Sequence, residues 1–320
     1  HAGMFITGSK DIGLENIYLH QTAGLGILSQ YAENLHFSNI QVVPNKIKGR
    51  YFSGHDDGCH FSNCKGSILV ENCSFAGLMD DPINVHGTAV QIIEKKSATE
   101  LHCRFMHEQS IGMRWALTGD KIGFINHNNM QTICYGTVAS FEALDTVNFI
   151  ITFKEAVPDA LGAKDALENI TWTPDVTIRN SSFLINRARG ILISTPGKVL
   201  IEGNRFESSG AAILIAGDAN QWFESGAVKN VMIRKNDFMD NCLTSMYQFC
   251  EAIISIEPEI PQPESKAPFH RNIIITQNNF CPYDYPVLYA KSVAGLTFTG
   301  NTITRSNRFK PFHRNRYMFS

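Results

Sequence analysis

Neither sign of charge dominates this chain of 320 residues. It carries 28 lysines and arginines against 30 aspartates and glutamates, and the formal net charge is −2. The basic excess that draws a protein to nucleic acid or to anionic membrane is therefore lacking. The sequence also contains no apolar run near the roughly 20 residues that cross a bilayer. We expect no nucleic-acid partner and no membrane insertion.

Paired CxxC spacing is absent as well. The eight cysteines stand at positions 59, 64, 73, 103, 134, 242, 250 and 281. Without CxxC pairs the sequence does not indicate a zinc site. We expect most of these cysteines to be buried as small apolar residues. Cys59 and Cys64 are the one pair near enough to suggest a disulfide, which we do not favour.

What the sequence does contain is an internal repeat. Each copy has alternating apolar residues, a turn-forming Asn at 72, 180, 204, 236, 278 or 301, and a terminal Phe or Ile. This pattern indicates a strand, a tight turn and a second strand. The copies are ILVENCSF (68–75), VTIRNSSF (176–183), VLIEGNRF (199–206), VMIRKNDF (231–238), IIITQNNF (273–280) and LTFTGNTI (296–303).

The spacing of the repeat predicts the fold class. The terminal residues of the last five copies are separated by 23, 32, 42 and 23 positions, which fits a basic coil of 23 residues with two insertions. Short β-branched strands with Asn or Gly corners at this period are typical of a parallel β-helix. The leucine-rich repeat is the rival, but its L-x-x-L-x-L framework is absent. We predict an all-β fold, a right-handed parallel β-helix with a small inserted antiparallel β-barrel.

The repeat is interrupted between Phe75 and Phe183. Residues from about 89 to 168 show five short strands instead, VQIIEKK, ELHCRFM, KIGFINH, TICYGTVASF and VNFIITF. We assign 1–88 to the N-terminal part of the β-helix, 89–168 to the barrel and 169–320 to the continued β-helix. A lid, a spacer, an oligomer contact and carbohydrate binding are open roles for the barrel.

The start of the chain suggests a preceding part. It opens on His1 without a signal peptide's apolar stretch, and Asn16 and Asn39 are already 23 positions apart, as in the repeat. A stack that begins abruptly exposes a bare strand edge, which proteins normally cover. We expect further coils upstream.

Two segments concentrate the chemistry. GHDDGCH (54–60) and MDDPINVH (79–86) hold four aspartates and three histidines. Successive side chains of a strand point to opposite faces, so Asp80 and Asp81 share one groove only if the backbone bends near them. Pro82 holds Asp81 extended, which leaves Asp80 or the 77–79 stretch to make the corner.

The repeat predicts a neighbour for Asp81. Asp81 follows Asn72 by nine positions and Arg189 follows Asn180 by nine. This register places Ile83 above Ile191 and Asp81 beside Arg189. A guanidinium there favours an ionised Asp81, while nearby carboxylates resist sharing negative charge, so one aspartate stays protonated as a general acid requires.

An acid and a carboxylate base are the minimal equipment for glycoside hydrolysis. Inverting enzymes hold the two about 6.5–9.5 Å apart, and the spacing of coils suits inversion better than retention. Two alternatives stay open. The aspartates could cap turns, which Asp favours, or bind calcium as in β-helix lyases, with Arg187 or Arg189 as proton acceptor; few lysines lie near this region to bind an acidic polysaccharide.

The segment GHDDGCHFSNCKGSILVENCSFAGLMDDPINVHG (54–87), on an interrupted β-helix, resembles glycoside hydrolase family 110. The resemblance implies an inverting exo-α-1,3-galactosidase without a metal cofactor, acting on blood-group-B-type or linear galactose-terminated glycans. It places the catalytic aspartates at Asp57, Asp80 and Asp81. Asp80 is then the general acid, and Asp57 with Asp81 positions and deprotonates the water.

Further residues are candidates for binding the sugar. Asn84 and His86 leave their strand on the face opposite Ile83 and Val85. Trp222, in the insertion GDANQWFESG (217–226), offers an aromatic face to galactose. The full set of candidate substrate-binding residues is His55, Asn84, His86, Arg189, Trp222, Glu251 and Glu257.

Other functions remain as alternatives to the galactosidase. A polygalacturonase-like hydrolase or a polysaccharide lyase would use a similar scaffold, and a non-catalytic β-helix could bind glycans or serve adhesion. The expected partner is an oligosaccharide or glycoconjugate with terminal α-galactose, which implies a periplasmic or extracellular location. The sequence leaves open homo-oligomer formation and the preference for branched or linear galactosides.

Overall fold

The computed structural model describes residues 1–246, 250–263, 267–284, 286–313, 317 and 319. Its first part winds through three coils, each with three short strands. Apolar residues alternate along them because one face of every strand turns to the interior. The strands are β1 Met4–Thr7, β2 Lys10–Glu15, β3 Tyr18–Leu19, β4 Ile27–Gln30, β5 Glu33–Ser38, β6 Gln41–Val42, β7 Cys59–Ser62, β8 Lys65–Glu71 and β9 Ser74–Phe75.

The next strand, β10 Ile83–Lys95, runs out of the coil and into an antiparallel barrel. Its second half pairs with β11 and β15, and the ring closes in the order β10-β11-β14-β13-β12-β15-β10. The barrel has a core of its own, centred on Trp115 and Phe149. Its other strands are β11 Glu100–Arg104, β12 Lys121–Ile125, β13 Thr132–Ala143, β14 Asn148–Phe153 and β15 Ala166–Asn169.

After the barrel the coils resume. The remaining strands are β16 Asp175–Arg179, β17 Ser182–Phe183, β18 Ile191–Ser194, β19 Lys198–Glu202, β20 Arg205–Phe206, β21 Ile213–Ile215, β22 Glu224–Ser225, β23 Asn230–Arg234, β24 Asp237–Phe238, β25 Ile254–Ile256, β26 His270–Thr276, β27 Asn279–Phe280, β28 Leu288–Ala290, β29 Val293–Thr299 and β30 Thr302–Ile303. Two short 3-10 helices, Lys46–Lys48 and Glu108–Ser110, are the helical segments of the described residues.

Corresponding strands of successive coils pair in parallel, which confirms the predicted β-helix. Two sheets have eight strands each, in the orders β2-β5-β8-β16-β19-β23-β26-β29 and β3-β6-β9-β17-β20-β24-β27-β30. The third sheet contains β4, β7, β10, β18 and their successors, and it continues into the barrel strands. One apolar core fills the coil interior. No helix among the described residues has the length and hydropathy needed to cross a membrane.

The repeat's end markers stack as the spacing predicted. Phe75, Phe183, Phe206, Phe238 and Phe280 form a continuous ladder, with ring centroids 4.5–5.5 Å apart and planes within 9° of parallel. Identical side chains fall in register because each coil repeats the last at about 4.8 Å. The ladder fixes the register on which the site depends.

The Asn residues of the repeat occupy two different positions. Asn72 and Asn180 have a left-handed backbone, at φ of 57° and 51°. Asn204 stands one position later, and its Nδ2 donates to Asn236 Oδ1 at 3.0 Å; Asn236 and Asn278 continue this ladder. The sequence pattern therefore aligned two kinds of Asn, one that turns the chain and one that is buried and hydrogen-bonded.

Candidate active site

Three charged residues stack at equivalent positions just before strands of the same sheet. The parallel pairings Ile83 with Cys59 and Ile83 with Ile191 place Asp57, Asp81 and Arg189 in one column on successive coils. The N–H of Gly58 donates to the carbonyl of Asp81 at 2.9 Å, so the coils are bonded at this point. The predicted register is therefore confirmed.

Asp80 joins the column from the neighbouring position. Gly77, at φ 71°, turns the chain a few residues earlier, in a left-handed conformation that favours glycine. Asp80 is half-buried, whereas Asp57 and Asp81 are buried. One carboxylate oxygen from each of the three lies within 4.8 Å of the other two. This spacing is closer than the wider separation expected from the sequence.

Arg189 binds both oxygens of Asp81. Its backbone N–H donates to Oδ1 at 2.9 Å and its guanidinium to Oδ2 at 2.7 Å. Burial nevertheless raises the pKa of Asp81 to about 7, because the loss of hydration outweighs the opposing charge of Arg189. The pairing was predicted correctly, but it does not hold the pKa of Asp81 low.

Asp57 is held by two protein groups. Its Oδ1 accepts the backbone N–H of Asp81 at 3.1 Å, and its Oδ2 lies 2.7 Å from His60 Nδ1. Burial raises the pKa of Asp57 well above its usual range, and the negative charges of Asp80 and Glu224 add to this effect. Because burial disfavours its ionised form, Asp57 is a candidate acid or base.

A histidine pair extends the site away from Asp57. His60 Nε2 and His86 Nε2 lie 2.9 Å apart, and His86 Nδ1 donates to the carbonyl of Gly87 at 2.7 Å. Burial lowers the pKa of both imidazoles. Glu224 Oε1 lies 3.5 Å from His86 Nε2 and accepts from Asn84 Nδ2 at 3.4 Å.

Glu224 reaches this place through strand pairing across the molecule. β22 pairs antiparallel with β10, so that Thr88 faces Glu224 and Gly87 faces Ser225. A Cβ on Gly87 would come within 2.6 Å of Ser225 Oγ, so glycine is needed for this approach. Burial raises the pKa of Glu224, but the imidazoles of His86 and His60 and the guanidinium of Arg189 more than offset this and lower it.

Two functional residues were not among the predicted site residues. His60 stood in the quoted segment GHDDGCH, where its position three residues after Asp57 was the available signal. Glu224 had no such signal, because its position depends on the antiparallel pairing of β22.

Two buried polar atoms beside the carboxylates have no hydrogen-bond partner among the described residues. They are Asn84 Oδ1, an acceptor, and Arg189 Nε, a donor. Asn84 lies on the outer face of β10, while Ile83 and Val85 are in the core, as predicted. Buried polar groups of this kind are normally satisfied, so these two atoms are exceptions within the site.

The other predicted binding residues have contacts of their own. His55 is exposed and bonds to Asp56 at 2.7 Å. The half-exposed Trp222 contacts the ring of His107 at 5.0 Å in the barrel region. Glu257 accepts the backbone N–H of Glu251 at 2.9 Å.

The spacing of the three carboxylates would also suit a cation. However, protein groups already engage both oxygens of Asp81 and both oxygens of Asp57. Positive charge in the column comes from Arg189. The arrangement therefore fits acid–base chemistry, with two perturbed buried acids beside a third carboxylate.

Comparison with known proteins gives matches to both parts of the chain. A family model described as "GLAA-B beta-barrel domain II" matches residues 100–167, within the barrel. A protein of Bacteroides thetaiotaomicron named alpha-1,3-galactosidase B is 55% identical over 313 residues, which are 98% of this chain and 51% of the relative.

Two further relatives carry similar names. Alpha-1,3-galactosidase B of Parabacteroides distasonis is 41% identical, over 99% of this chain and 54% of the relative. Alpha-1,3-galactosidase A of Bacteroides fragilis is 41% identical, over 99% of this chain and 52% of the relative. The chain thus spans about half the length of these curated relatives.

Proposed function

We propose that this protein is an inverting exo-glycosidase that releases terminal α-1,3-linked galactose from oligosaccharides or glycoconjugates. The observation that carries the proposal is the grouping of Asp57, Asp80 and Asp81 within 4.8 Å, beside Arg189. The names of the three relatives support galactose as the sugar. A glycan substrate of this kind also favours a periplasmic or extracellular location.

In the proposed mechanism Asp80 is the general acid. It is the more exposed of the three carboxylates, and so it can meet the glycosidic oxygen of a bound glycan. Protonation of that oxygen by Asp80 lets the leaving sugar depart as an alcohol. The bond to the anomeric carbon breaks through a cation-like transition state, and Asp80 leaves the step ionised.

Asp57 and Asp81 hold the attacking water. Two carboxylate oxygens at most 4.8 Å apart can both accept from one water molecule at ordinary hydrogen-bond distances. As the water attacks the anomeric carbon, Asp57 accepts its proton. Arg189 is ion-paired with Asp81, and its positive charge opposes the protonation of that carboxylate, so we assign the base to Asp57.

The stereochemistry is the finer part of the proposal. Inverting enzymes usually separate acid and base by about 6.5–9.5 Å, and the closest oxygens here are nearer than that. Inversion is proposed from the family resemblance of residues 54–87, and the spacing alone does not select it. The anomer that forms first decides the point.

For the galactose hydroxyls we propose contacts from the side chains of Asn84 and Arg189. His86 lies on the same face as Asn84, but its two ring nitrogens already bond to Gly87 and His60. For His55, Trp222, Glu251 and Glu257 we propose contacts to more distant parts of the glycan. Removal of such a contact raises KM more than it lowers kcat.

The function is tested with two substrates in parallel. The protein is incubated with α-1,3-galactobiose and with polygalacturonate, and the products are separated by chromatography. We expect galactose from the first and no product from the second; product from polygalacturonate alone would make it a polygalacturonase-like enzyme. Asp80→Asn is the variant, and Asp237→Asn, which changes an exposed carboxylate on another sheet, is its control. Binding of the glycan with equal turnover by Asp80→Asn would overturn the mechanism.

A further inference from the structure

The hydrogen bonds around Asp57 fix where protons lie. The carbonyl of Gly87 only accepts, so His86 Nδ1 carries a proton, and in a neutral ring His86 Nε2 is then an acceptor. The contact of 2.9 Å between the two Nε2 atoms needs one proton, which His60 Nε2 supplies. His60 Nδ1 is in turn left as an acceptor facing Asp57.

This ordering has a consequence for Asp57. Its Oδ2 lies 2.7 Å from His60 Nδ1, and two acceptors cannot share that distance without a proton between them. The hydrogen-bonded series Asp57–His60–His86–Gly87 therefore contains one extra proton. The extra proton is counted relative to an ionised Asp57 and two neutral histidines. That proton has three places: Asp57, His60 or His86.

Glu224 stands at the far end of the chain. Its Oε1 is 3.5 Å from His86 Nε2, and its side chain is 21% exposed, more than the 9% of Asp57. A negative charge there stabilises a proton on His86 more than one on Asp57, because it lies within ion-pair distance of His86 Nε2 while Asp57 is at the other end of the two imidazoles. Glu224 is thus a counter-ion for an imidazolium at His86, and it is more exposed to solvent than Asp57.

We propose that His60 and His86 are positioning residues that form a proton relay between Asp57 and Glu224. The inference rests on the proposed function, in which Asp57 is the base. Asp57 becomes ionised by passing its proton along the two imidazoles towards Glu224 instead of releasing it directly to water.

The transfer balances in protons and charge. The O–H bond of Asp57 breaks as an N–H bond forms at His60 Nδ1, and the Nε2–H bond of His60 breaks as one forms at His86 Nε2. A neutral acid and two neutral imidazoles thereby become a carboxylate and one imidazolium beside Glu224. Asp57 then accepts the water's proton and passes it through solvent in the groove to Asp80. The relay runs back as the Nε2–H bond of His86 breaks and one re-forms at His60 Nε2, while the Nδ1–H bond of His60 breaks and the O–H bond of Asp57 re-forms.

Other charged groups face the relay and set its direction. Asp80, Asp81 and Asp56 lie on the His60 side, where their negative charges favour an imidazolium. The positive charge of Arg189 favours the carboxylate form of Asp57. Together with Glu224, these charges oppose the burial that keeps both imidazoles neutral at rest.

The first test reads the protons directly and needs no substrate. In protein labelled with nitrogen-15 at histidine, the ring signals report which nitrogen bears hydrogen. We expect His86 protonated at Nδ1 and His60 at Nε2, at neutral pH. Two rings that both carry hydrogen at Nε2 alone would remove the chain of bonds and overturn the relay, whatever the enzyme's activity.

The second test is a double-mutant cycle on turnover. His60→Gln and Glu224→Gln each block one end of the relay, and we expect each to lower kcat by at least about a hundredfold, in the range of acid–base contributions. Because both act on one path, the double variant should lose little more than the poorer single variant. His36→Gln and Glu71→Gln, which break a histidine–glutamate contact of 2.8 Å away from the site, are matched controls.

The outcomes separate the relay from the proposed function. The relay would be overturned if the losses of kcat in the two single variants multiply in the double variant. It would also be overturned if the single variants lose no more kcat than the His36 and Glu71 controls. A wild-type protein that releases no galactose would refute the proposed function instead, and the nitrogen-15 signals would still decide the proton arrangement. If His60→Gln fails to fold, Glu224→Gln is measured alone. A Glu224→Gln variant whose kcat has the same pH profile as that of the wild type would contradict the relay.

Discussion

Arg189 holds Asp81 through two different groups, a backbone N–H at 2.9 Å from Oδ1 and a guanidinium nitrogen at 2.7 Å from Oδ2. The pair joins two coils that are 108 residues apart in sequence. Asp81 is 1% exposed, so little solvent screens the contact. Both the stability of the stack and the chemistry of the column depend on it.

Arg189→Met tests this contact. The change leaves a buried carboxylate without its charged partner, which typically costs about 3–5 kcal/mol. We expect the free energy of unfolding, measured by urea denaturation, to fall by that amount. Arg179→Met is the control, because Arg179 pairs with Glu71 at the surface and such pairs contribute about 0–1 kcal/mol. Equal losses in the two variants would contradict the account.

The pH dependence of stability follows from Asp81. Its pKa is raised to about 7 in the folded protein, so between about pH 4 and pH 7 the folded state binds more protons than the unfolded state. The contribution of Asp81 to the free energy of unfolding should therefore fall as pH rises through this window, by up to about 1.4 kcal/mol per pH unit. Asp57, whose pKa burial also raises, acts in the same direction. Buried histidines with lowered pKa values, His60, His86 and His270, contribute in the opposite direction.

Urea denaturation across that range, on the wild type and Asp81→Asn, measures this slope. The difference in free energy of unfolding between the wild type and Asp81→Asn should fall as pH rises from 4 to 7, because residue 81 no longer titrates in the variant. Asp237→Asn, changed at an exposed position, should keep the wild-type profile. A difference that stays constant or rises over this range would contradict a raised pKa of Asp81.

Trp222→Ala tests the outer part of the proposed binding surface. The indole ring is 50% exposed beside His107, and its loss removes an apolar face that a sugar can cover. We expect KM for α-1,3-galactobiose to rise by about tenfold with kcat nearly unchanged, since such a contact binds substrate and transition state alike. Tyr18→Ala, an exposed aromatic on the first coil, is the control. An unchanged KM would place Trp222 outside the binding surface.

The sequence predicted the stack because the repeat carries its own register. Phe75 and Phe183 end equivalent segments, and Asp81 and Arg189 follow them at equal offsets, so the sequence alone predicts that Asp81 and Arg189 are neighbours. The alternation of Ile83 and Val85 likewise placed Asn84 on the outer face. Local periodicity suffices for such predictions, since each coil repeats the geometry of the last.

What the sequence did not reveal depends on irregular pairing. Glu224 reaches His86 through an antiparallel contact between a loop strand and β10, for which no repeat gives a register. Strand β15, Ala166–Asn169, closes the barrel but is too short to show an alternating pattern of its own. The close spacing of the aspartates arises because Asp57 and Asp81 stack on adjacent coils. The sequence also allowed a wider separation of the two carboxylates.

We propose that these aspartates hydrolyse an α-galactoside with inversion. The most direct measurement follows the anomeric proton signals by NMR while the protein acts on α-1,3-galactobiose. The account predicts β-galactose as the first product, and for Asp80→Asn a rate at least about a hundredfold lower. α-Galactose as the first product, or an unchanged rate with Asp80→Asn, would contradict it.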